Sequence, residues 1–378
     1  MPLPPRRPQS GFALASIVDP ASGSQEWGER ASIPLVRELL RRHSDLPSYG
    51  MARFQGTQAQ KRALWREYRN YILQALSYFD AAINVPDRSA CLLLYYAMLN
   101  FAKAELLVTN PSQIIGQRVA HGLSFSPIKA KKVTSDALLV QNGVFRMLYE
   151  KRVGQQLSLG QRLPIQRLLR NIPEIASQIQ DVKFDPCAVI PLFHMISIDA
   201  TSAWAVLLMW TAISPTSSTG NLFHKVFRQV ELNVLTWREE FGLSRRAVGT
   251  PIVYQSIDVA THPSSSIINL WGAQAITWRI KDILSPSVSA GADGLITPSI
   301  YSSKLLPMPA SLARYATIYY ASSLVRYRPS IFDAQSAPEN AYLFDAIARE
   351  CALPILVDAL TGLEGRAQMF YGDESLRR

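Results

Sequence analysis

The stretch that most limits what this chain can fold into is its longest helical pattern, which runs from about Gln58 to Val108. In "KRALWREYRNYILQALSYFDAA" the apolar residues Leu64, Trp65, Tyr68, Ile72, Leu76 and Phe79 recur in steps of three and four, the signature of one face of an α-helix. Arg62, Arg66 and Arg69 fall on the exposed face. Pro86 breaks the chain, and Asp87 or Ser89 is placed to cap a second helix. That second helix contains "LYYAMLNFAKAELL", residues 94–107, apolar almost throughout but for Lys103, which shares a face with Tyr96 and Asn100. A buried amine is costly unless it is paired or neutralised. Its partners could be carbonyls, a carboxylate such as Asp136 or a bound anion; alternatively the stem lies in the core and the amine reaches water.

The rest of the chain divides by texture. Residues 1–55 read as a Pro/Arg-rich N-terminal arm with one short helix, "IPLVRELLRRH", at 33–43. Residues 56–215 read as a helical region with a turn-rich segment, "TNPSQIIGQRVAHGLSFSP", and short helical pieces such as "PIQRLLRNIPEIASQI". The most apolar run, "ATSAWAVLLMWTAI" at 200–213, is shorter than the roughly 18–20 residues that span a bilayer and reads as a buried core helix. From 216 to 305 the β-branched and aromatic runs "VELNVLTW", "TPIVYQSIDVA", "SSIINLW" and "AITWRI" alternate with Pro, Ser and Gly clusters, which predicts a small β-sheet around 222–305. Helical periodicity returns over 306–378 in "SLARYATIYYASSLVRYRP", stopped by Pro329, and in one last helix, "NAYLFDAIARECALPILVDALTGL"; this C-terminal region is expected to pack on the first helical one. The fold class is α+β, predominantly α-helical, with the sheet inserted between helical N- and C-terminal parts.

The formal net charge of +10 and pI near 9.6 favour a polyanionic partner such as nucleic acid. Cys91, Cys187 and Cys351 are far apart in apolar surroundings, as expected of buried thiols in a reducing compartment. The N-terminus has no convincing secretory signal, so a soluble cytoplasmic protein with no membrane partner is expected. Phosphate-binding and dinucleotide glycine loops, HExxH and GxSxG are absent, and none of the five histidines stands at metal-ligand spacing from another. Neither metal nor cofactor is expected.

Four constellations could carry chemistry. In "RVAHGLS", His121 before a turn glycine could act as base or acid, and Arg118 could stabilise a phosphate oxyanion; the plainer alternative is a histidine that caps a turn. The Tyr96, Asn100 and Lys103 face is the second. In "SSLVRYRP", Arg326, Tyr327 and Arg328 could clamp a phosphate and stack a base, or could simply complement the negative end of a helix. In "RELLRRH", Arg37 precedes His43 by six residues, a spacing that a solvated basic helix also produces.

"LLLYYAMLNFAKAELLV", "HGLSF", "NGVFRML", "GLITPSIY" and "YYASSLVRYRPSIF", in that order, resemble the YaaC-like bacterial proteins over about residues 60–360, a family without an assigned reaction. Tyr95, Tyr96, Asn100, Lys103, His121, Gly122, Arg326, Tyr327 and Pro329 match its recurring positions. The "YYAMLNFAKAELL" helix is also similar to a helix of the HEPN modules, which include metal-independent ribonucleases; there an Arg and a His share one helix, whereas Arg118 and His121 stand only two residues apart in a turn-like segment. The basic charge, the Arg-rich motifs and the HEPN-like helix together lead to a nucleic-acid-interacting protein, RNA before DNA, with a metal-independent ribonuclease of toxin or defence type as its finer form; His121, Arg118 and Lys103 would then be the catalytic set and Tyr96, Asn100, Arg326, Tyr327 and Arg328 the anion contacts. Two other readings stay open: a non-catalytic helical subunit that binds a protein partner or a second copy of itself, and a small-molecule enzyme anchored by Lys103.

Overall fold

The computed structural model describes residues 10–13, 32–116, 119–125, 133–184, 190–198, 202–209, 224, 227–230, 252–257, 260–261, 295–296, 308–332 and 338–365. They form two units, one helical, from the described residues of 32–187 and 308–365, and one built on a sheet. The protein is a predominantly helical α+β protein.

The first strand, β1 (Ser10–Ala13), belongs to the sheet. The helical unit opens with α1 (Ile33–Asp45), which Ser32 caps by accepting a hydrogen bond from the Leu35 amide, and the short α2 (Pro47–Met51). Then comes α3 (Gln58–Ala82), started by a reciprocal capping box between Thr57 and Gln60, and α4 (Asp87–Thr109). Tyr78 of α3 stacks on Tyr96 of α4, and Tyr71 lies beneath Lys103. A step of seven residues back along α3 thus matches a step of seven forward along α4, as an antiparallel pair requires.

Beyond α4 come α5 (Pro111–Ile114), β2 (His121–Ser124), β3 (Ala137–Gly143), α6 (Val144–Val153), β4 (Arg162–Pro164), α7 (Ile165–Leu169) and α8 (Ala176–Asp181). Strands β2, β3 and β4 make a small antiparallel sheet, and the register shifts between His121 and Leu123. Two glycines permit that irregularity. Gly122 and Gly143 both have positive φ and lie back to back; a Cβ on Gly122 would stand 2.9 Å from the Gly143 carbonyl carbon, and one on Gly143 would stand 2.6 Å from the Gly122 nitrogen.

The unit closes with α9 (Ala310–Tyr327), α10 (Pro338–Glu350) and α11 (Ala352–Glu364). The single closing helix expected from the periodicity is in fact two. Pro354 has no amide to offer the Glu350 carbonyl, and the chain breaks at Cys351 between them. Helix α4 is the central element and packs on α3, α9, α10 and α11. Its face of Leu94, Tyr95, Ala97, Met98, Phe101 and Ala104 is buried.

In the other unit, β5 (Ile190–Ile198), β6 (Ser202–Met209), β7 (Phe227–Val230) and β8 (Ile252–Ser256) join β1 in the antiparallel order β1-β5-β6-β8-β7; β9 (Ala260–Thr261) pairs with β6 and β10 (Leu295–Ile296) with β5. The sheet expected at 222–305 therefore also takes strands from outside that range, β1 at Ser10–Ala13 and β5 and β6 from Ile190 onward. The core helix expected over 200–213 is a correction: residues 202–209 are β6, held by β5 on one side and β8 on the other. A short apolar run has no period that separates a strand from a buried helix, and here pairing on both edges decides it. The expected strands "SSIINLW" and "AITWRI", Cys187 and most of "VELNVLTW" lie outside the described residues.

Candidate functional site

The sequence candidates fall in three separate places in the helical unit. The first is an aromatic cluster at the bulge of β2. The ring of His121 lies 5.0 Å from that of Tyr319 on α9, and Tyr319 lies 5.3 Å from Tyr95 on α4. Tyr95 in turn touches Tyr96 and, at 6.3 Å, Tyr315. The Tyr319 hydroxyl donates to the Leu123 carbonyl at 3.0 Å, fixing α9 to β2. His121 is exposed at the strand edge, with its Nδ1 accepting from the Leu123 amide at 3.4 Å; in the neutral ring the proton is then on Nε2. Burial of part of the ring and the charge of Arg326 hold its pKa below the usual histidine value.

Arg326 belongs to the same place. Its charge acts on His121, Tyr95 and Tyr319 together, and its Nε donates to the Ser322 carbonyl. The guanidinium lies 5.1 Å over the ring of Tyr327, which is 67% exposed. The fold thus brings together His121, Arg326 and Tyr327, with Tyr95 and Tyr319 as the floor. Arg118 lies outside the described residues.

Arg328 turns elsewhere. It faces the buried carboxylate of Asp136 at 4.0 Å, and Asp136 also accepts a 2.6 Å hydrogen bond from the Tyr320 hydroxyl. The two arginines that flank Tyr327 therefore serve different sites. Asp136, which the sequence offered as a partner for Lys103, is taken up by Tyr320 and Arg328.

Lys103 is the third place. Its ammonium lies 5.7 Å from the centre of the Tyr71 ring, and burial alone lowers its pKa, with no charged neighbour contributing. Seven residues separate it from Tyr96, about 10 Å along the helix. Asn100 does not hold it; its amide donates to the Tyr96 carbonyl one turn back. The amine on this apolar face is a half-buried cation resting on a tyrosine ring.

Two buried polar clusters lie elsewhere in the helical unit, the first on the Arg37 and His43 pattern of the sequence and the second not singled out there. Arg37 pairs with Asp80 on α3, and His43 is wholly buried: its Nε2 meets Glu364 at 2.9 Å and its Nδ1 lies 2.8 Å from the Tyr68 hydroxyl. The Arg37 and His43 pattern is thus spent on packing α1 against α3 and α11, not on a solvated helix face. Burial pushes the Glu364 carboxyl up, but the hydrogen bonds from His43 and Tyr49 outweigh it and hold it at about 2. The second cluster joins Glu105 on α4 to Lys151 and Arg152 on α6, and Arg314 on α9 to Glu174 and Asp358. Arg152 also donates to the Asp358 carbonyl, which links the two halves. Glu105 loses solvation by burial, yet Arg152 and Lys151 keep its pKa below the ordinary value. Tyr315 and Tyr319 were also missed as site residues; their spacing of four on one helix was the available signal.

The profile of the family described as YaaC-like Protein matches residues 39–340, from α1 into α10. The chain belongs to the YaaC-like family. No curated protein and no solved structure matches it. The matched range covers His121, the Tyr95–Tyr96 helix and the Arg326–Tyr327 end of α9 in this YaaC-like protein. Among its described residues no group of three or more His, Cys, Asp or Glu could hold a metal ion, and the one helix long and apolar enough to cross a membrane, Arg88–Thr109, lies within α4 with 67% of its apolar window buried.

Proposed function

We propose that this YaaC-like protein binds RNA at the surface where His121, Arg326 and Tyr327 meet. The observation that carries the reading is the Arg326–Tyr327 pair: an exposed aromatic face with a guanidinium over it, beside an exposed imidazole. An aromatic face stacks an unpaired base for about 1–3 kcal/mol, and an adjacent arginine takes the phosphate. Unpaired bases are splayed out in single-stranded RNA, and the +10 net charge assists approach. The likeness of α4 to a HEPN helix points the same way. Metal-independent cleavage is the finer form of the proposal. His121, held neutral, would take the 2′-hydroxyl proton at Nδ1, giving up the hydrogen bond from the Leu123 amide, as the 2′-oxygen bonds to phosphorus and the 5′-oxygen leaves with a proton from solvent; Arg326 would oppose the negative charge growing on the phosphoryl oxygens. Lys103 is not part of this set.

Titration with a single-stranded oligoribonucleotide at several salt concentrations tests the binding. A steep loss of affinity with salt is expected, with a slope smaller by about 0.7 in Arg326→Ala, one phosphate contact fewer. A flat slope refutes nucleic-acid binding and favours a protein-interaction role. Incubation with total RNA in chelator, wild type against His121→Ala, tests cleavage; identical RNA in both lanes eliminates it and leaves binding.

A further inference from the structure

The floor of the same site holds polar groups that the fold leaves unused. The hydroxyls of Tyr95 and Tyr315 are buried and have no hydrogen-bond partner among the described residues; the residues are 3% and 2% exposed. A buried hydroxyl without a partner costs about 1–3 kcal/mol, so two of them on adjoining rings ask for a reason. Tyr319, between Tyr95 and His121, has spent its proton on the Leu123 carbonyl. Above them, Arg326 uses its Nε on Ser322, and no carboxylate pairs with its terminal amino groups among the described residues. His121 accepts at Nδ1, so Nε2–H is a donor. Asp136, the buried carboxylate just before β3, is engaged by Tyr320 and Arg328. The cluster is thus rich in donors, with its cation unneutralised.

We infer that this floor is a subsite for a terminal phosphate, a phosphomonoester at an RNA end, with Tyr95 as a binding residue alongside Arg326 and His121; Tyr315, eleven residues before Arg326 on α9 and so about 16 Å along the helix, lies too far away to share it. An internal phosphodiester offers two free oxygens and is flanked by ribose on both sides. A terminal phosphate projects from the chain, offers three oxygens, and carries a second negative charge near neutral pH. Three oxygens and a second charge match the donors that converge here, the terminal amino groups of Arg326, the His121 Nε2–H and the Tyr95 hydroxyl. The inference rests on the RNA-binding reading and names what the site selects.

The test uses the full-length protein and one eight-residue oligoribonucleotide in three forms, with a 5′-phosphate, with a 3′-phosphate and with hydroxyl ends, plus inorganic phosphate, by calorimetric titration. One phosphorylated form is expected to bind at least tenfold tighter than the hydroxyl form. Tyr95→Phe should reduce that preference by about tenfold, the worth of one hydrogen bond to a charged group, and should melt no lower than wild type, because its hydroxyl has no partner to lose. Equal affinity of all three forms overturns the subsite and leaves RNA binding intact. Binding of inorganic phosphate, lost in Arg326→Ala, with no binding of any oligonucleotide supports the subsite and overturns the RNA reading. A Tyr95→Phe protein that keeps the full preference, or that melts several degrees lower, overturns the assignment of Tyr95.

Discussion

Replacing Gly362 by alanine should destabilise the protein, although helix propensity argues the reverse. Gly362 lies inside α11, where exchange of glycine for alanine ordinarily gains about 1 kcal/mol. Here a Cβ would stand 2.5 Å from Cδ of Glu105, closer still to its Oε2, and 2.9 Å from Nη2 of Arg152. The neighbour that must yield is a buried carboxylate held by Arg152 and Lys151. Overpacking costs about 1–3 kcal/mol, and a broken buried pair costs about 3–5 kcal/mol. Partial displacement of Glu105 therefore predicts a net loss of roughly 2–4 kcal/mol, a large share of the usual 5–15 kcal/mol. Urea unfolding followed by circular dichroism measures it. The decisive arm is the Glu105→Ala background. There the collision is gone, so Gly362→Ala should turn stabilising, by about 1 kcal/mol. A stabilising or neutral Gly362→Ala in the wild type, or the same effect in both backgrounds, would refute the reasoning.

Acid should unfasten α1 from the end of α11. The folded-state pKa of Glu364 is held at about 2, below its unfolded value, so its contribution is full above about pH 4.5 and is lost as pH falls through about 2. Linkage puts it at ~3 kcal/mol, and Glu364→Gln should remove that limb from a stability–pH curve; an unchanged acid limb would count against the assignment. Lys103→Met should be neutral or stabilising and leave RNA affinity unchanged, since the amine has a desolvation cost and no charged partner; weakened binding would return Lys103 to the site. Tyr320→Phe should cost about 1–3 kcal/mol by leaving buried Asp136 with Arg328 alone at 4.0 Å, which chemical denaturation would reveal, and a loss under 0.5 kcal/mol would contradict it. Cys91 and Cys351, both fully buried, should react with a thiol reagent only on unfolding, and fast labelling in the native protein would show that α4 or α10 opens.

The sequence by itself determined the parts of this protein that depend on local chemistry. The steps of three and four from Leu64 to Phe79 specify α3, Thr57 and Gln60 start it, and the proline at 329 ends α9 one residue past Arg328. The glycine after His121 likewise announced a backbone that bends. Tertiary structure decided what local chemistry leaves degenerate. The run at 202–209 became a strand because β5 and β8 supply its hydrogen bonds from outside the segment. Lys103 looked like the wall of an anion site, and His43 like a residue of a basic surface. Packing set the first on Tyr71 and buried the second against Glu364, which is 321 residues further along the chain. Arg326 and Arg328 differ by two positions at a helix end, yet one faces His121 and the other Asp136. Which side chains share a site depends on how α4, α9 and β2 meet, and that is fixed by contacts far apart in sequence, where spacing carries no record of them.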